Sequence, residues 1–288
     1  MIFCRTKAEA SKALEKPRAQ ARSLGLVPTM GALHEGHMSL VRRSVAENDV
    51  TVVSVFVNPA QFDESRDLEK YPQDLRQDLL LCEKAGVDVV FAPTVEEMYP
   101  EDFSTWVEET QLSRGLCGAA RPGHFRGVTT VVAKLFNIIR PGRAYFGAKD
   151  FQQAAVVRRM TRDLDMPVEI VVMPIVREGD GLAMSSRNSR LQGPSREEAL
   201  VLSRALARAE ELYRAGQRDV GVLVREMLDC IRSAQHVQVD YVEIVDAESL
   251  EPLEHLNVPA LAAAAVYIGD TRLIDNRLLN PTEEGTTP

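Results

Sequence analysis

A chain of 288 residues, 45% hydrophobic and 26% charged, can form one large or two medium globular domains with a sizeable core. Its net charge of -8 and pI near 5.3 lack the basic excess with which general nucleic-acid and anionic-membrane binders displace counterions, so small-molecule ligands are expected, with no nucleic acid and no membrane among the partners. The four cysteines form no CxxC or Cys/His metal spacing, and neither a signal-peptide stretch nor an 18-residue apolar span occurs, so the expectation is a soluble, cytoplasmic protein with reduced thiols.

In chain order, an opening helix precedes a short apolar run at 24–27 and the decapeptide PTMGALHEGH, residues 28–37. Met38, Leu40, Val41 and Val45 then recur close to helical period, giving strand, glycine-bearing loop and helix. His34 and His37 stand three apart on the first helical turn and share a face. They lie beside backbone N–H groups with no intrahelical partner, which makes an anion-binding corner with two imidazoles added.

Residues 50–57 (VTVVSVFV) form a continuous apolar run suited to a strand buried on both faces of a parallel sheet. Helical periodicity at 75–85, a strand at 87–92, a helix ending at Pro141, a strand at 144–146, an amphipathic stretch at 151–164 and a strand at 168–173 follow. This alternation predicts an α/β fold, a Rossmann-like doubly wound parallel sheet, with ligands at the carboxyl ends of its strands. The pattern changes near residue 178. A polar stretch leads to helices at 196–215 and 220–234 and strands at 237–245 and 263–268, so the expected division is 1–178 and a smaller α+β domain at 179–288. The tail NPTEEGTTP is expected to be disordered.

Neither GxGxxG nor a P-loop occurs, so phosphates must be held another way. An isolated HxxH is no more than two exposed helix-start residues, but here it has company. FGAKD follows a predicted strand and places Lys149 and Asp150 at its carboxyl end. MSSRN, residues 184–188, adds hydroxyls and a guanidinium at the domain junction. Asn58 and Gln61 in VNPAQF, and Gln152 and Gln153 in KDFQQ, bring amides able to recognise hydroxyl and carboxylate groups together. RPGHFRGV contributes Arg121, His124 and Arg126, for which a basic surface loop is an equal alternative.

The ordered set PTMGALHEGH, VNPAQF, RPGHFRGV, FGAKD with Gln153, and GLAMSSRN resembles the pantoate-β-alanine ligase family from about residue 20 to about residue 275. HxGH alone is shared with nucleotidylyltransferases and class I aminoacyl-tRNA synthetases, and MSSRN takes the place of their KMSKS loop. The resemblance implies adenylation of pantoate by ATP, then displacement of AMP by β-alanine, with Mg²⁺ assisting and a homodimer expected. It implies ATP binding by Met30, Gly31, Ala32, Leu33, His34, Glu35, Gly36, His37, Gly147, Ala148, Lys149, Asp150, Val176, Met184, Ser185, Ser186 and Arg187. His34, His37, Lys149 and Arg187 would be the catalytic set, with His37 the proton donor. Gln61, Gln153 and Asn58 would bind pantoate. The MSSRN loop would act as a lid over the labile adenylate.

Two positions depart from the family pattern: Ala148 stands where glutamate is expected, and the stretch Tyr71-Pro72-Gln73-Asp74 differs, which leaves the metal ligands unknown and Asp78 a weak candidate. Competing readings are a nucleotidylyltransferase acting on a phosphorylated second substrate, a truncated tRNA synthetase, which the acidic chain disfavours, and a nucleotide-binding regulator without turnover.

Overall fold

The computed structural model describes residues 1–63 and 65–280; the predicted disordered tail, apart from Asn280, lies outside the described residues. Two compact units are present. Met1–Ser113 and Arg121–Val176 form the first, and Arg114–Ala120 groups with the chain from Arg177 onward in the second.

The first unit is built on a six-stranded, wholly parallel sheet: β1 (Ile2–Cys4), β2 (Leu24–Thr29), β3 (Val50–Val55), β4 (Val89–Phe91), β5 (Arg143–Gly147) and β6 (Glu169–Met173) in the order β1-β4-β3-β2-β5-β6. The central strands β2 and β3 are buried at all but one position each, which explains why β3 reads as a nearly continuous apolar run and not as an alternation. Helices α1 (Lys7–Ala19), α2 (Glu35–Glu47), α3 (Ser65–Glu69), α4 (Leu75–Lys84), α5 (Val95–Met98), α7 (His124–Ile139) and α8 (Phe151–Asp163) connect the strands. From β2 the chain moves outward to β3 and β4, and it later returns to β2's other side as β5. The strand order therefore reverses between β2 and β5, and ligands of such sheets bind outside the carboxyl ends of strands at that reversal.

Two local features hold the connections at that edge. Thr29 ends β2 with its hydroxyl on the Ser54 carbonyl at 2.8 Å, tying the carboxyl ends of β2 and β3 together. Helix α7 begins against the 3-10 turn Pro59–Gln61 that follows β3, and a Cβ on Gly127 would come within 2.2 Å of the Ala60 carbonyl oxygen. Only glycine permits that approach.

The second unit packs α10 (Val201–Arg214) and α11 (Val220–Arg232), preceded by α9 (Pro194–Ala199), with an antiparallel sheet of β7 (Val237–Asp246), β8 (Ala260–Ile268) and β9 (Thr271–Leu279). Leu202, Leu206, Leu223, Met227 and Ile231 close a core with Ala262, Ala264 and Val266 of the central strand. Residues 114–120, which hold the short α6 (Leu116–Ala120), belong here, and the Cys117 thiol lies 3.2 Å from the Tyr241 hydroxyl.

Several elements depart from the sequence expectation. The chain opens on β1 before its first helix, and the long helix expected at 196–215 is broken at Leu200 into α9 and α10. The terminal strand β9 has no counterpart in that expectation, because its period is interrupted by two buried polar residues, Asp275 and Asn276. Arg177 holds the Asp275 carboxylate in a two-pronged contact at 2.6 and 3.0 Å, which compensates a charge otherwise costly to bury.

Candidate active site

Helix α2 starts with a histidine where serine, threonine, aspartate or asparagine would be usual. His34 has extended backbone angles, φ -132° and ψ 176°, and its ring accepts from the backbone of the first turn while His37 reaches back to the His34 backbone. The Gly36 N–H donates to His34 Nδ1 at 3.2 Å, and the His34 N–H donates to His37 Nδ1 at 3.4 Å. This is a capping box made of two imidazoles. A ring whose Nδ1 accepts a hydrogen bond carries its proton, when neutral, on Nε2. Both rings are thereby fixed as Nε2–H donors, with centroids 4.1 Å apart. Burial, reinforced by His34 and by Lys149 and opposed by Asp150, pushes the His37 pKa down to about 3. His37 is therefore a neutral donor at physiological pH.

Lys149 and Asp150 stand on the 3-10 turn Ala148–Asp150 directly after β5, their charged groups 3.8 Å apart, and both act electrostatically on His37. The folded first unit thus brings together His34, His37, Lys149 and Asp150 at the β2/β5 reversal. Gly147 and Ala148 are half-buried beside them, and Gln153 is half-buried on the first turn of α8. Gln152 is instead committed to the fold, donating to the Leu112 carbonyl at 2.8 Å.

The loop between β2 and α2 is held from behind. Gly31 has φ +85° and Ala32 φ +50°, two successive left-handed residues, and the peptide N–H groups that follow point at Asp78 of α4. Asp78 Oδ2 accepts from the Ala32 N–H at 3.0 Å and Oδ1 from the Leu33 N–H at 2.8 Å. Asp78 is 2% exposed, and burial raises its pKa while the two N–H groups lower it. Both Asp78 oxygens are engaged by the turn, which makes this carboxylate an anchor of the loop. Among the described residues no three His, Cys, Asp or Glu side chains converge as a metal cage.

The Asn58–Gln61 turn is a second buried network. Asn58 is 1% exposed; its amide nitrogen donates to Gln61 Oε1 at 3.0 Å and to the Gly127 carbonyl at 3.1 Å, and its oxygen accepts from the Ala60 N–H at 3.3 Å and the Tyr99 hydroxyl at 2.9 Å. Two donors and two acceptor sites are all an asparagine amide offers, so Asn58 holds Gln61 and has nothing left to present to a ligand. Gln61 Nε2 lies 3.2 Å from Met30 Sδ, which joins this turn to the β2–α2 loop. The Gln61 carbonyl accepts from His124 Nδ1 at 2.8 Å and from Arg121 at 3.1 Å, and Arg121 pairs with Asp63 at 3.0 Å. Burial, then Arg121, pushes the His124 pKa down to about 4. RPGHFRGV therefore acts as the clamp on Gln61, a role its composition did not reveal.

In the second unit, Met184, Ser185, Ser186 and Arg187 are half-buried, and the Ser185 hydroxyl caps the 3-10 turn Ser186–Arg190 by accepting from the Arg187 N–H at 3.2 Å. Buried Asn188 anchors this segment, donating to the Ala183 carbonyl at 3.1 Å and to Glu178 at 2.6 Å, and Arg196 ties Glu178 to Asp180. Val176, half-buried, is the last residue of the first unit.

A parallel sheet whose reversal carries paired histidine donors and a lysine defines a nucleotide-binding α/β enzyme. The family described as pantoate-beta-alanine ligase matches residues 2–278. The pantothenate synthetase of Thermotoga petrophila is 55% identical over 279 residues, covering 97% of this chain and 100% of that protein, and the one from Pelotomaculum thermopropionicum is 52% identical. Crystal structures agree: the enzyme from Thermus thermophilus superposes with a TM-score of 0.93 at 48% identity, covering 98% of this chain and 100% of that one. The Francisella tularensis pantoate-beta-alanine ligase, solved with beta-gamma ATP and beta-alanine, gives 0.79 at 34%, covering 96% and 97%. The chain belongs to the pantoate-beta-alanine ligase family and is a ligase.

Proposed function

We infer that this enzyme makes pantothenate in two steps: the pantoate carboxylate attacks the α-phosphorus of ATP and releases pyrophosphate, and the amine of β-alanine then displaces AMP from pantoyl adenylate. The observation that carries the site assignment is the histidine capping box beside Lys149 at the strand-order reversal. Transfer at phosphorus needs in-line positioning and charge compensation more than covalent help. His34 and His37 supply fixed Nε2–H donors to the triphosphate, and Lys149 supplies the cation. Burial keeps His37 neutral before ATP binds, so its Nε2–H meets the triphosphate as a hydrogen-bond donor, and by family resemblance we assign His37 as the proton donor.

Met30, Gly31, Ala32, Leu33, Glu35, Gly36, Gly147, Ala148 and Val176 frame the nucleotide, Asp150 lies toward the ribose, and Gln61 and Gln153 take the pantoate hydroxyls and carboxylate. Asn58 acts through Gln61. Met184, Ser185, Ser186 and Arg187 serve the nucleotide from the second unit and shield the adenylate from water as a lid. Among the described residues no three His, Cys, Asp or Glu side chains converge, so a magnesium ion would be held mainly by the ATP phosphates and water, where it would neutralise phosphate charge. No described helix is long and apolar enough to cross a membrane; we assign the enzyme to the cytoplasm and, by family, to a homodimer.

Pyrophosphate exchange into ATP is the test. It should require pantoate and proceed without β-alanine, with AMP accumulating once the amine is added. Exchange that ignores pantoate, or ADP as product, overturns the assignment.

A further inference from the structure

The two peptide N–H groups at Ala32 and Leu33 form the kind of concave donor pair that binds anions in phosphate-binding loops. Here the pair is filled by the protein's own carboxylate, with Asp78 Oδ2 on Ala32 at 3.0 Å and Oδ1 on Leu33 at 2.8 Å. The fit is close on every side. A Cβ on Gly31 would come within 2.8 Å of Asp78 Oδ2 and 3.0 Å of Val55 Cγ1, so the carboxylate lies against the bare Cα of a residue whose φ of +85° also favours glycine. The next residue, Ala32, holds a left-handed φ of +50°, a conformation that a side-chain-bearing residue keeps only when its surroundings enforce it. Asp78 itself is fixed on the first turn of α4, whose N-terminus Asp74 caps through the Gln77 N–H at 3.0 Å.

Within the reading of the site given above, we propose that Asp78 is a positioning residue for adenylation: an internal anion that locks the Gly31–Leu33 turn and so sets where the His34/His37 capping box presents its two Nε2–H donors. The carboxylate touches no reacting atom. It acts one residue upstream of His34, by fixing the peptide that enters α2. It also withdraws the Ala32 and Leu33 N–H groups from the ligand, so the phosphates meet imidazole donors and Lys149 at this corner and not a backbone nest.

The decisive variant is Asp78→Asn, which keeps shape but must set an amide N–H against one of the two peptide N–H groups. Three readouts separate positioning from mere support of the fold. In pyrophosphate exchange, kcat should fall about tenfold or more while the pantoate KM moves less than about twofold. In a His37→Ala background the same substitution should cost less than about twofold, because residues acting through one another are not additive. In nitrogen-15 spectra of the histidine rings, the wild type should show His34 and His37 as Nε2–H tautomers, and Asp78→Asn should mix the tautomers. A folded Asp78→Asn protein with unmixed tautomers and a kcat within about twofold of wild type overturns the proposal, as does full additivity with His37→Ala. If that variant does not fold, amide exchange in the wild type decides: protection of the Ala32 and Leu33 N–H groups supports the lock, and free exchange at both refutes it. The ring spectra and amide exchange need no turnover, so they stand even if the substrate assignment fails.

Discussion

The two loops at the carboxyl edge of the sheet use histidine in opposite senses. After β2, His34 and His37 turn Nδ1 inward to accept backbone N–H groups and leave Nε2–H as the donor face. Beside the turn that follows β3, His124 turns Nδ1–H onto the Gln61 carbonyl and is 9% exposed. Burial depresses His37 and His124 alike, so depression alone does not mark a catalytic histidine. What separates the roles is which ring nitrogen the fold consumes. A ring pinned through Nδ1 as acceptor leaves its Nε2–H to be presented; a ring donating inward through Nδ1 is spent on the loop.

The largest test of that contrast is removal of the presented donors. His37→Ala or Lys149→Ala should lower the exchange rate about 100-fold or more with the fold intact, the loss typical of one preorganised donor. Removing the inward-facing ring should split differently. His124→Ala should cost about 1 kcal/mol in urea unfolding, the loss of one of the two hydrogen bonds to the Gln61 carbonyl, and raise the pantoate KM with the ATP KM unchanged. If the ATP KM rises instead, the two loops are not separable.

Acid unfolding sharpens the same point. The His124 pKa lies at about 4 in the folded chain against an ordinary value of 6.5, so as pH falls the unfolded chain takes up the proton first. The stability from keeping this ring neutral is whole above pH 6.5 and is lost progressively down to about pH 4, at about 1.4 kcal/mol per pH unit. His124→Gln should flatten that slope; an unchanged slope would remove His124 as its source. The smallest effect is expected at Ala148, which neighbours Lys149 without replacing it. Ala148→Glu should leave the exchange rate nearly unchanged, because Lys149 keeps its place on the turn.

The β2–α2 corner was legible in the sequence because helical period, a glycine and two histidines coincide there within ten residues. Lys149 was legible because its strand is apolar and the turn after it is polar. The strand order that brings them together emerged from the β-α alternation only as a class of fold. What stayed hidden depends on distant partners. Asp78 meets the turn across 45 residues of chain, and family resemblance marks it only as a weak metal-ligand candidate, with no sign that its oxygens accept from peptide N–H groups. Asn58 read as a substrate amide, but all four of its hydrogen-bonding sites are spent on neighbours that include Gly127 and Tyr99. Strand β9 was masked by Asp275, whose charge makes sense only once Arg177 is opposite it.

Nitrogen-15 ring spectra of the wild type, followed through an ATP titration and a pH series, test the central claim most directly. The account predicts that His34 and His37 are Nε2–H tautomers, that His37 stays neutral down to pH 5, and that both Nε2 signals move on ATP binding while His124 Nδ1–H does not. A His37 that protonates near pH 6.5, or Nε2 signals indifferent to ATP, would contradict it.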